Sequence, residues 1–298
     1  MPPSPRAATM RQASVSLVAG RQPLIQALLA TGRWSANQAT QRLAAGRVRV
    51  NSRVVTETTQ RVDPWRDAIS VDEHPLPPLR PCRYLLFFKP YRVLSSFTDP
   101  EGRDTLANYI SVPDVYAVGR LDYDSEGLML LTDDGWLNHR LAHPRYEHPK
   151  TYLAQVEGAP NERALEALRH GVVIQGRRTA PAEVALLRED DLPPLPPRAT
   201  PIRYRANVPT AWLRVVLREG AKRQLRHMTA AVGLPTLRLI RIAIGPLEWS
   251  DLAPGAWRDL GEAEMGQLRE WLRAPLQPRS NPNRRESKRR TAVQRGSP

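Results

Sequence analysis

The sequence contains almost no cysteine and no apolar stretch long enough to span a membrane. Its 298 residues include one cysteine, Cys82, which excludes an internal disulfide and a four-cysteine zinc site. No apolar run approaches the roughly 20 residues needed to cross a bilayer. The opening residues, MPPSPRAATMRQAS, lack the apolar core of a secretory signal. Together these absences favour a cytoplasmic protein.

Positive charge is abundant and unevenly distributed. The formal net charge is +14. Residues 1–80 carry 11 Arg/Lys against 5 Asp/Glu, and residues 274–298 carry 7 against 1, so the middle of the chain is nearly neutral. Basic flanks of this kind favour binding to a polyanion, because cationic side chains neutralise phosphates and release counterions. A basic composition that serves only solubility stays an alternative.

Residues 17–73 are predicted to form a small module with a helical hairpin and a β-hairpin. The first helix carries apolar residues at helical spacing, namely Leu24, Ile25, Leu28 and Leu29. Ser35 and Gln38 form a capping-box pattern that starts a second helix. The alternating segment RVRV, a turn at Asn51-Ser52 and the segment RVV predict the β-hairpin. Residues 1–16, ahead of this module, are expected to be disordered.

A Pro-rich linker, HPLPPLRPC at 74–82, is predicted to separate this module from a larger domain at 83–273. Strands are predicted at 84–88, 152–158 and 211–220, and helices at 161–170 and 223–232. Because these elements show no regular βαβ rhythm, the predicted class is α+β. The Pro-rich stretch at 191–201 is interpreted as a surface loop. The basic tail, 274–298, is expected to be disordered.

The densest group of acidic residues lies in the segment GRLDYDSEGLMLLTDDG, at 119–135. Its acids are Asp122, Asp124, Glu126, Asp133 and Asp134. These acids could belong to a solvated loop, form a divalent metal site, or include one catalytic carboxylate. The spacing is not that of an EF-hand and the segment has no cysteine or histidine, which argues against metal. Arg120 beside Asp122 suits a carboxylate kept ionised by guanidinium groups. Spacing alone still favours a structural loop over catalysis.

Four ordered blocks over roughly 84–262 resemble the RsuA-type family of ribosomal pseudouridine synthases. The blocks are FFKPYRVLSSFTDPEGRDTL, GRLDYDSEGLMLLTDDG, KTYLAQVEG and EGAKRQLRHMTAAVGLPTLRLIRIAIG. The FTDPEGR and PTLRLIR stretches are most similar to the RluE branch, which acts on large-subunit rRNA. The N-terminal module resembles an S4 RNA-binding domain, which the RluE pattern lacks. The resemblance implies a catalytic domain with a mixed, mainly antiparallel sheet.

The resemblance also implies the reaction and its residues. A specific uridine of rRNA, expected in 23S rRNA or a pre-ribosomal particle, would be isomerised to pseudouridine without a cofactor or metal. Asp122 would be the catalytic carboxylate and Arg226 the guanidinium paired with it. Arg120 would fill the space that the extruded base leaves in the RNA, and Tyr152 would stack on the uracil. Leu225 would support the site from the apolar face of the same helix as Arg226.

Other residues have simpler expected roles. Lys89 is expected to shape the end of its strand and to touch the RNA backbone. Three arginines of the S4-like β-hairpin are expected to contact phosphates, namely Arg47, Arg49 and Arg53. His139 and His143 could share a helical face, but Arg140 stands where a zinc protease would need Glu, so metal binding is not expected. Three tryptophans are expected to pack in the core or against helices: Trp249, Trp257 and Trp271.

Two other functions compete with rRNA modification. In the first, the S4-like module and the basic tail hold rRNA, and the larger domain is a scaffold without activity. In the second, the enzyme modifies transfer RNA. An S4-like module favours rRNA mildly, because it binds structured RNA by its shape and phosphates. The protein is expected to act as a monomer and to have no membrane partner.

Overall fold

The computed structural model describes residues 21–64, 66–76, 81–198, 200–202, 208–250 and 252–273. The predicted N-terminal segment 1–16 and the basic tail 274–298 lie outside these residues, as does part of the predicted linker. The chain belongs to the predicted α+β class, with helices packed on a large sheet.

Among its described residues, the N-terminal module contains two helices and six short strands. The helices are α1 (Leu24–Leu29) and α2 (Ala36–Ala44). The strands are β1 (Gln22–Pro23), β2 (Val48–Val50), β3 (Arg53–Val54), β4 (Arg61–Val62), β5 (Ile69–Val71) and β6 (His74–Pro75). β1 pairs with β4, and the other four strands form a sheet in the order β3-β2-β5-β6. The module therefore extends two residues into the segment predicted as a linker.

Local sequence accounts for the start of α2 and for the β2–β3 turn. Ser35 Oγ accepts a hydrogen bond from Gln38 N at 3.3 Å, and Ser35 N donates to Gln38 Oε1 at 3.0 Å. The predicted capping box is thus confirmed. Asn51 and Ser52 adopt left-handed conformations, with φ of 48° and 69°, and connect the two strands in a tight turn. The predicted β-hairpin is also confirmed.

The module has a hydrophobic core of its own. Leu24 and Leu28 of α1 are fully buried together with Leu43 of α2 and Val48 of β2. The i, i+4 spacing of the two α1 leucines places them on one helical face. A separate folding unit needs such a core, so this packing supports the proposed domain boundary.

The larger domain contains eleven strands and four helices among its described residues. The strands are β7 (Tyr84–Lys89), β8 (Tyr116–Ala117), β9 (Glu126–Thr132), β10 (Lys150–Glu157), β11 (Val173–Ile174), β12 (Arg177–Arg178), β13 (Glu183–Leu187), β14 (Thr210–Leu217), β15 (Thr236–Ile244), β16 (Leu247–Glu248) and β17 (Trp257–Asp259). The helices are α3 (Gly135–Ala142), α4 (Glu162–His170), α5 (Gln224–Ala231) and α6 (Glu262–Arg273).

Several of these elements were predicted from the sequence. The three predicted strands correspond to β7, β10 and β14, and the two predicted helices to α4 and α5. Asn161 caps α4, with its side chain accepting a hydrogen bond from Ala164 N at 2.9 Å, and Gly171 ends the helix with φ of 85°. Strands β9 and β15 and helix α6 were not predicted. β9 is buried along its whole length, so its sequence lacks the polar alternation that marks a half-exposed strand.

One sheet organises the larger domain. Its main path follows the order β13-β14-β10-β15-β9-β7-β17, with β8 and β16 paired at its side. Every neighbouring pair is antiparallel except β9 and β15, which run parallel over a short contact. The expectation of a mixed, mainly antiparallel sheet is therefore confirmed.

Both faces of the central strands are covered. In β7, Leu86 and Phe88 face one hydrophobic cluster, whereas Leu85 and Phe87 face another. All four side chains are fully buried. The sequence of a strand that is covered on both faces is a continuous apolar run, as in the segment YLLFF. Trp249 and Trp271 pack against the first of these clusters and Trp257 against the second, which confirms the structural role predicted for the tryptophans.

Gly127 allows β9 and β15 to come together. It lies at the start of β9 with φ of 108°, and a Cβ atom at this position would lie 2.3 Å from the carbonyl oxygen of Arg241. Any side chain would therefore push the two strands apart. This close approach matters because the segment that precedes Gly127 carries Asp122.

None of the described helices is long and apolar enough to span a bilayer.

His139 and His143 do not share a helix, because α3 ends at Ala142 and His143 is extended, with φ of −73° and ψ of 127°. Their rings still lie 5.2 Å apart between centroids. Among the described residues, no group of three His, Cys, Asp or Glu side chains is arranged to hold a metal ion.

His148 predicts a pH dependence of stability. It is buried, its ring lies 4.4 Å from that of Trp271, and burial, together with the charges of Arg140 and Lys150, lowers its pKa from 6.5 to about 4. The unfolded chain therefore binds more protons between pH 4 and 6.5, so stability falls as the pH decreases through that window. Urea unfolding of wild type and His148→Phe should show a stability difference that shifts in favour of the variant on acidification. Parallel pH profiles would contradict the buried, neutral state of His148.

Candidate active site

Asp122 lies on the loop between β8 and β9, and backbone contacts hold this loop on both sides of it. Leu121 N donates to Ser95 Oγ at 3.0 Å, and the Ser95 hydroxyl donates back to Leu121 O at 2.8 Å. On the other side, Arg92 N donates to Tyr123 O at 2.8 Å. These bonds connect the loop to the segment that follows β7. The position of Asp122 is thus fixed from both sides by this one segment.

The carboxylate of Asp122 is half-buried and has no hydrogen bond or ion pair with any residue that the structure describes. Cations surround it nevertheless. Its negative charge acts to raise the pKa values of Lys89, Arg223 and Arg226. A carboxylate with cations near it and with its oxygens unoccupied is available to a substrate.

Arg226 pairs with Asp124 and not with Asp122, which corrects the predicted ion pair. Arg226 Nε lies 3.4 Å from Asp124 Oδ2, and its NH2 group donates to the backbone oxygen of Asp124 at 2.6 Å. Burial is the main cause that lowers the pKa of Arg226. The negative charges of Asp124 and Asp122 oppose this shift, and the effect of Asp124 is the larger of the two. The physical reason is geometric, because the loop presents its second aspartate to α5 and leaves the first one unpaired.

Arg223 was not predicted and also contacts this loop. Its guanidinium makes a two-pronged pair with Asp124, at 2.8 Å to each carboxylate oxygen. It precedes α5 in a left-handed conformation, with φ of 53°. Because Arg223 lies outside α5, no helical periodicity links it to Arg226 in the sequence, and only the structure shows that both contact Asp124.

Lys89 is fully buried, so the predicted contact between Lys89 and the RNA backbone is wrong. Its ammonium group donates to Pro90 O at 2.8 Å and to Val93 O at 2.7 Å, and so fixes the turn that ends β7. This contact agrees with its predicted role in shaping the strand. Burial lowers the pKa of Lys89 to about 7, against the opposing charges of Glu126, Asp124 and Asp122.

Four residues form a row across the sheet beneath the acidic loop. Lys89 pairs with Gly127, Gly127 lies opposite Arg241 in the parallel contact, and Arg241 lies opposite Tyr152. A register irregularity next to Tyr152 interrupts the pairing of β10 with β15 there. Bulges of this type re-aim side chains and are common beside active sites. The row brings Tyr152 and Lys89 to the same part of the fold as the loop that carries Asp122.

Arg241 is a second residue that the sequence analysis missed. It is 1% exposed and donates from Nε to Leu128 O at 2.7 Å, while one of its terminal nitrogens makes no hydrogen bond among the described residues. Burial lowers its pKa, and the neighbouring Tyr152 opposes that shift. A buried guanidinium adds positive charge under the site at a considerable desolvation cost. Tyr152 itself is half-buried.

The remaining predicted residues occupy different environments. Leu225 is 3% exposed and belongs with Met228 to the core under α5, so the predicted apolar stripe of this helix is confirmed. Arg120 is exposed, two residues before Asp122. Arg47, Arg49 and Arg53 are all exposed on the N-terminal module.

A third carboxylate adjoins the loop. Glu126 is buried, with 3% of its side chain exposed, and Arg238 makes a two-pronged pair with it at 3.0 and 2.8 Å. Arg198, from the connection between β13 and β14, lies 3.5 Å from the same carboxylate. The site therefore combines two acids of the loop and Glu126 at the start of β9 with cations from four other segments.

Comparisons with known proteins agree with this arrangement. The family model described as RNA pseudouridylate synthase matches residues 83–231. The ribosomal large subunit pseudouridine synthase E of Vibrio parahaemolyticus is 47% identical over 213 residues, covering 70% of this chain and 88% of the relative. The enzyme of the same name from Xanthomonas axonopodis pv. citri is 56% identical over 173 residues, covering 57% of this chain and 90% of the relative.

A solved structure described as a pseudouridylate synthase has a similar fold. The TM-score is 0.52 at 26% identity, covering 78% of this chain and 94% of that one. Fold and site together define an enzyme of the isomerase class that acts on RNA. The chain belongs to the RNA pseudouridylate synthase family.

Proposed function

We propose that this protein isomerises a specific uridine of large-subunit ribosomal RNA to pseudouridine, with Asp122 as the catalytic carboxylate. The observation that carries the proposal is the state of Asp122, which is half-buried and unpaired among the described residues, with Lys89, Arg223 and Arg226 near it. The relatives named as ribosomal large subunit pseudouridine synthases support the choice of RNA. Ribosomes assemble in the cytoplasm, which is where we expect the protein to act.

The reaction balances within one nucleotide. The N1–C1′ bond of uridine breaks, the uracil turns, a C5–C1′ bond forms, the hydrogen on C5 leaves as a proton, and N1 is protonated. No electrons leave the nucleotide, so the reaction requires no redox partner. Asp122 either attacks the nucleotide directly or removes the proton from C2′, and both routes require its ionised form.

Asp122 and Asp124 have separate roles in this proposal. Asp124 is occupied by Arg223 and Arg226 and holds the loop against α5. Asp122 has both oxygens free for the substrate among the described residues. Arg226 therefore acts on Asp122 through its positive charge and through the position of the loop. A direct hydrogen bond between the two is not required.

Extrusion of the target base brings the uracil to Asp122. Leaving the RNA stack costs a few kcal/mol, and the cost falls when a side chain fills the gap. Arg120 is exposed on the acidic loop and is the proposed filler. Tyr152, on the row under the loop, is proposed to stack on the extruded uracil, and Leu225 supports the helix that holds the loop.

The N-terminal module is proposed to bind structured RNA in the manner of an S4 domain. Arg47 pairs with Asp72, and Arg49 donates to Ser52 O at 3.1 Å, so these side chains are oriented and still exposed. Arg53 is exposed on the neighbouring strand. Exposed arginines on a rigid hairpin suit contacts to phosphates, which position RNA without reading its sequence. We propose that a single copy of the chain carries both activities.

Release of tritium from C5-labelled uridine tests the proposed function. Purified full-length protein would be incubated with labelled transcripts of large-subunit rRNA, small-subunit rRNA and transfer RNA. We expect release from the large-subunit transcript alone, at about one tritium per RNA, because a site-specific isomerase acts on one uridine. Binding without release on any transcript would favour a non-catalytic RNA-binding protein. Release from transfer RNA alone would overturn the assignment of the substrate.

A further inference from the structure

The connection between β13 and β14 is described at residues 188–198, 200–202 and 208–209, and this described part contacts the rest of the domain. Two successive contacts join it to β15 and to the segment that follows β7. Pro196 O accepts a hydrogen bond from Arg238 at 2.9 Å. Two residues later, the guanidinium carbon of Arg198 lies 3.4 Å from the centre of the Tyr91 ring. The prediction of a plain surface loop thus missed a connection to the site.

Arg198 is more than a counterion for Glu126. Arg238 already neutralises that carboxylate with two hydrogen bonds, at 3.0 and 2.8 Å. Arg198 lies 3.5 Å from the same carboxylate, and its Nε makes no hydrogen bond among the described residues. It is also close enough to Arg226 that its charge acts to lower the pKa of that residue. A second arginine at a satisfied carboxylate leaves one positive charge in excess.

The charges around the acidic loop sum to an excess of cations. The acids are Asp122, Asp124 and Glu126, and the cations are Arg198, Arg223, Arg226 and Arg238, to which Lys89, with its pKa of about 7, adds a partial positive charge at neutral pH. Such an excess favours an anionic ligand. A guanidinium stacked on an aromatic face is held in one plane, which suits the two-pronged recognition of a phosphate. The anion that an RNA substrate brings to this position is a phosphate of its backbone.

We propose that Arg198, held against Tyr91, binds a backbone phosphate of the RNA next to the extruded uridine. This inference rests on the proposed function, because it takes RNA as the substrate. The phosphate would share Arg198 with Glu126, whose own pairing with Arg238 is complete. The loop between β13 and β14 would thereby help to hold the substrate over Asp122.

The test compares Arg198→Ala with Arg188→Ala in the full-length enzyme. Arg188 is a matched control from the same loop, where it pairs with Asp191 at 3.0 Å and is 83% exposed. Loss of a charge-assisted contact is expected to raise KM by about tenfold or more, with kcat nearly unchanged. The salt dependence of binding should weaken by about one unit of slope. Arg188→Ala should resemble wild type in all these measurements.

Tyr91→Leu tests the stacked geometry independently. It is expected to raise KM as Arg198→Ala does, and the double variant should be no worse than Arg198→Ala, because both act through one contact. Fully additive effects would overturn the proposal. An unchanged KM in Arg198→Ala with a lower thermal midpoint would assign Arg198 a structural role and would also overturn it.

Binding measured with Asp122→Asn as the background separates this inference from the proposed function. Affinity for large-subunit rRNA requires no turnover. If wild type shows no isomerase activity but the Asp122→Asn protein loses affinity when Arg198 is replaced, the function is contradicted and the phosphate contact is supported. If wild type is fully active and the affinity of Asp122→Asn is unchanged when Arg198 is replaced, the phosphate contact alone is contradicted.

Discussion

Asp122→Asn is expected to reduce pseudouridine formation by about a thousandfold or more while leaving RNA binding and stability nearly unchanged. The carboxylate has no hydrogen bond or ion pair among the described residues, so its replacement breaks no structural contact. Stability should therefore change by less than about 0.5 kcal/mol. One neutralised acid among several cations should if anything strengthen binding to a polyanion. Single-turnover assays, filter binding and urea unfolding measure the three quantities.

Asp190→Asn is the matched control for this change. Asp190 is exposed on the loop between β13 and β14, so the same chemical change occurs outside the site. It should have wild-type activity. If Asp122→Asn unfolded the domain or abolished RNA binding, Asp122 would be a structural residue and the proposed function would lose its main support.

Asp124→Asn should produce the opposite pattern, with a large loss of stability. Its carboxylate is the ion partner of Arg223 and Arg226, and the Arg226 side chain is only 12% exposed. Removing the charge leaves a largely buried guanidinium without its partner, which should cost about 2–3 kcal/mol of unfolding free energy. Turnover should fall because the loop that carries Asp122 loses its connection to α5. Below the unfolding transition, Asp124→Asn should retain measurable turnover, unlike Asp122→Asn.

Arg223→Ala provides the comparison for Asp124→Asn. Its side chain is 38% exposed, and its removal leaves Asp124 still paired with Arg226. The loss of unfolding free energy in Arg223→Ala should stay below about 1 kcal/mol, because a partly solvated ion pair contributes little to stability. Equal losses of unfolding free energy in Arg223→Ala and Asp124→Asn would show that the burial of Arg226 does not determine the instability of Asp124→Asn. Equal stability of Asp122→Asn and Asp124→Asn would contradict the separate roles assigned to the two aspartates.

Local patterns predicted many elements correctly. The capping box at Ser35, the turn at Asn51-Ser52 and the cap of α4 at Asn161 all depend on residues within a few positions of one another. Their side chains bond to the adjacent backbone, so the sequence contains the whole interaction. The β9 strand escaped prediction for the converse reason, because burial on both faces removes the alternation that identifies a strand.

The candidate site was predicted less completely. The resemblance of four blocks identified Asp122, Tyr152 and Arg226, and the structure brings their elements together. It does not pair Arg226 with Asp122. Two aspartates two residues apart look equivalent in the sequence, and only the path of the loop over α5 decides which one receives the arginines. Arg223, Arg198 and Arg241 were missed because nothing in their local sequence distinguishes them from other arginines of a basic chain.

The sequence by itself determined the family, the α+β class, the acidic loop and the helices and hairpins whose signals are local. The tertiary structure decided which aspartate is free, that Lys89 is buried and that Arg198 reaches the site. It also decided that Lys89, Gly127, Arg241 and Tyr152 form one row across the sheet. The physical reason is that such contacts depend on strand register and on the short parallel meeting of β9 and β15. Gly127 permits this close approach of β9 and β15 because it has no side chain, and no local sequence pattern predicts the approach.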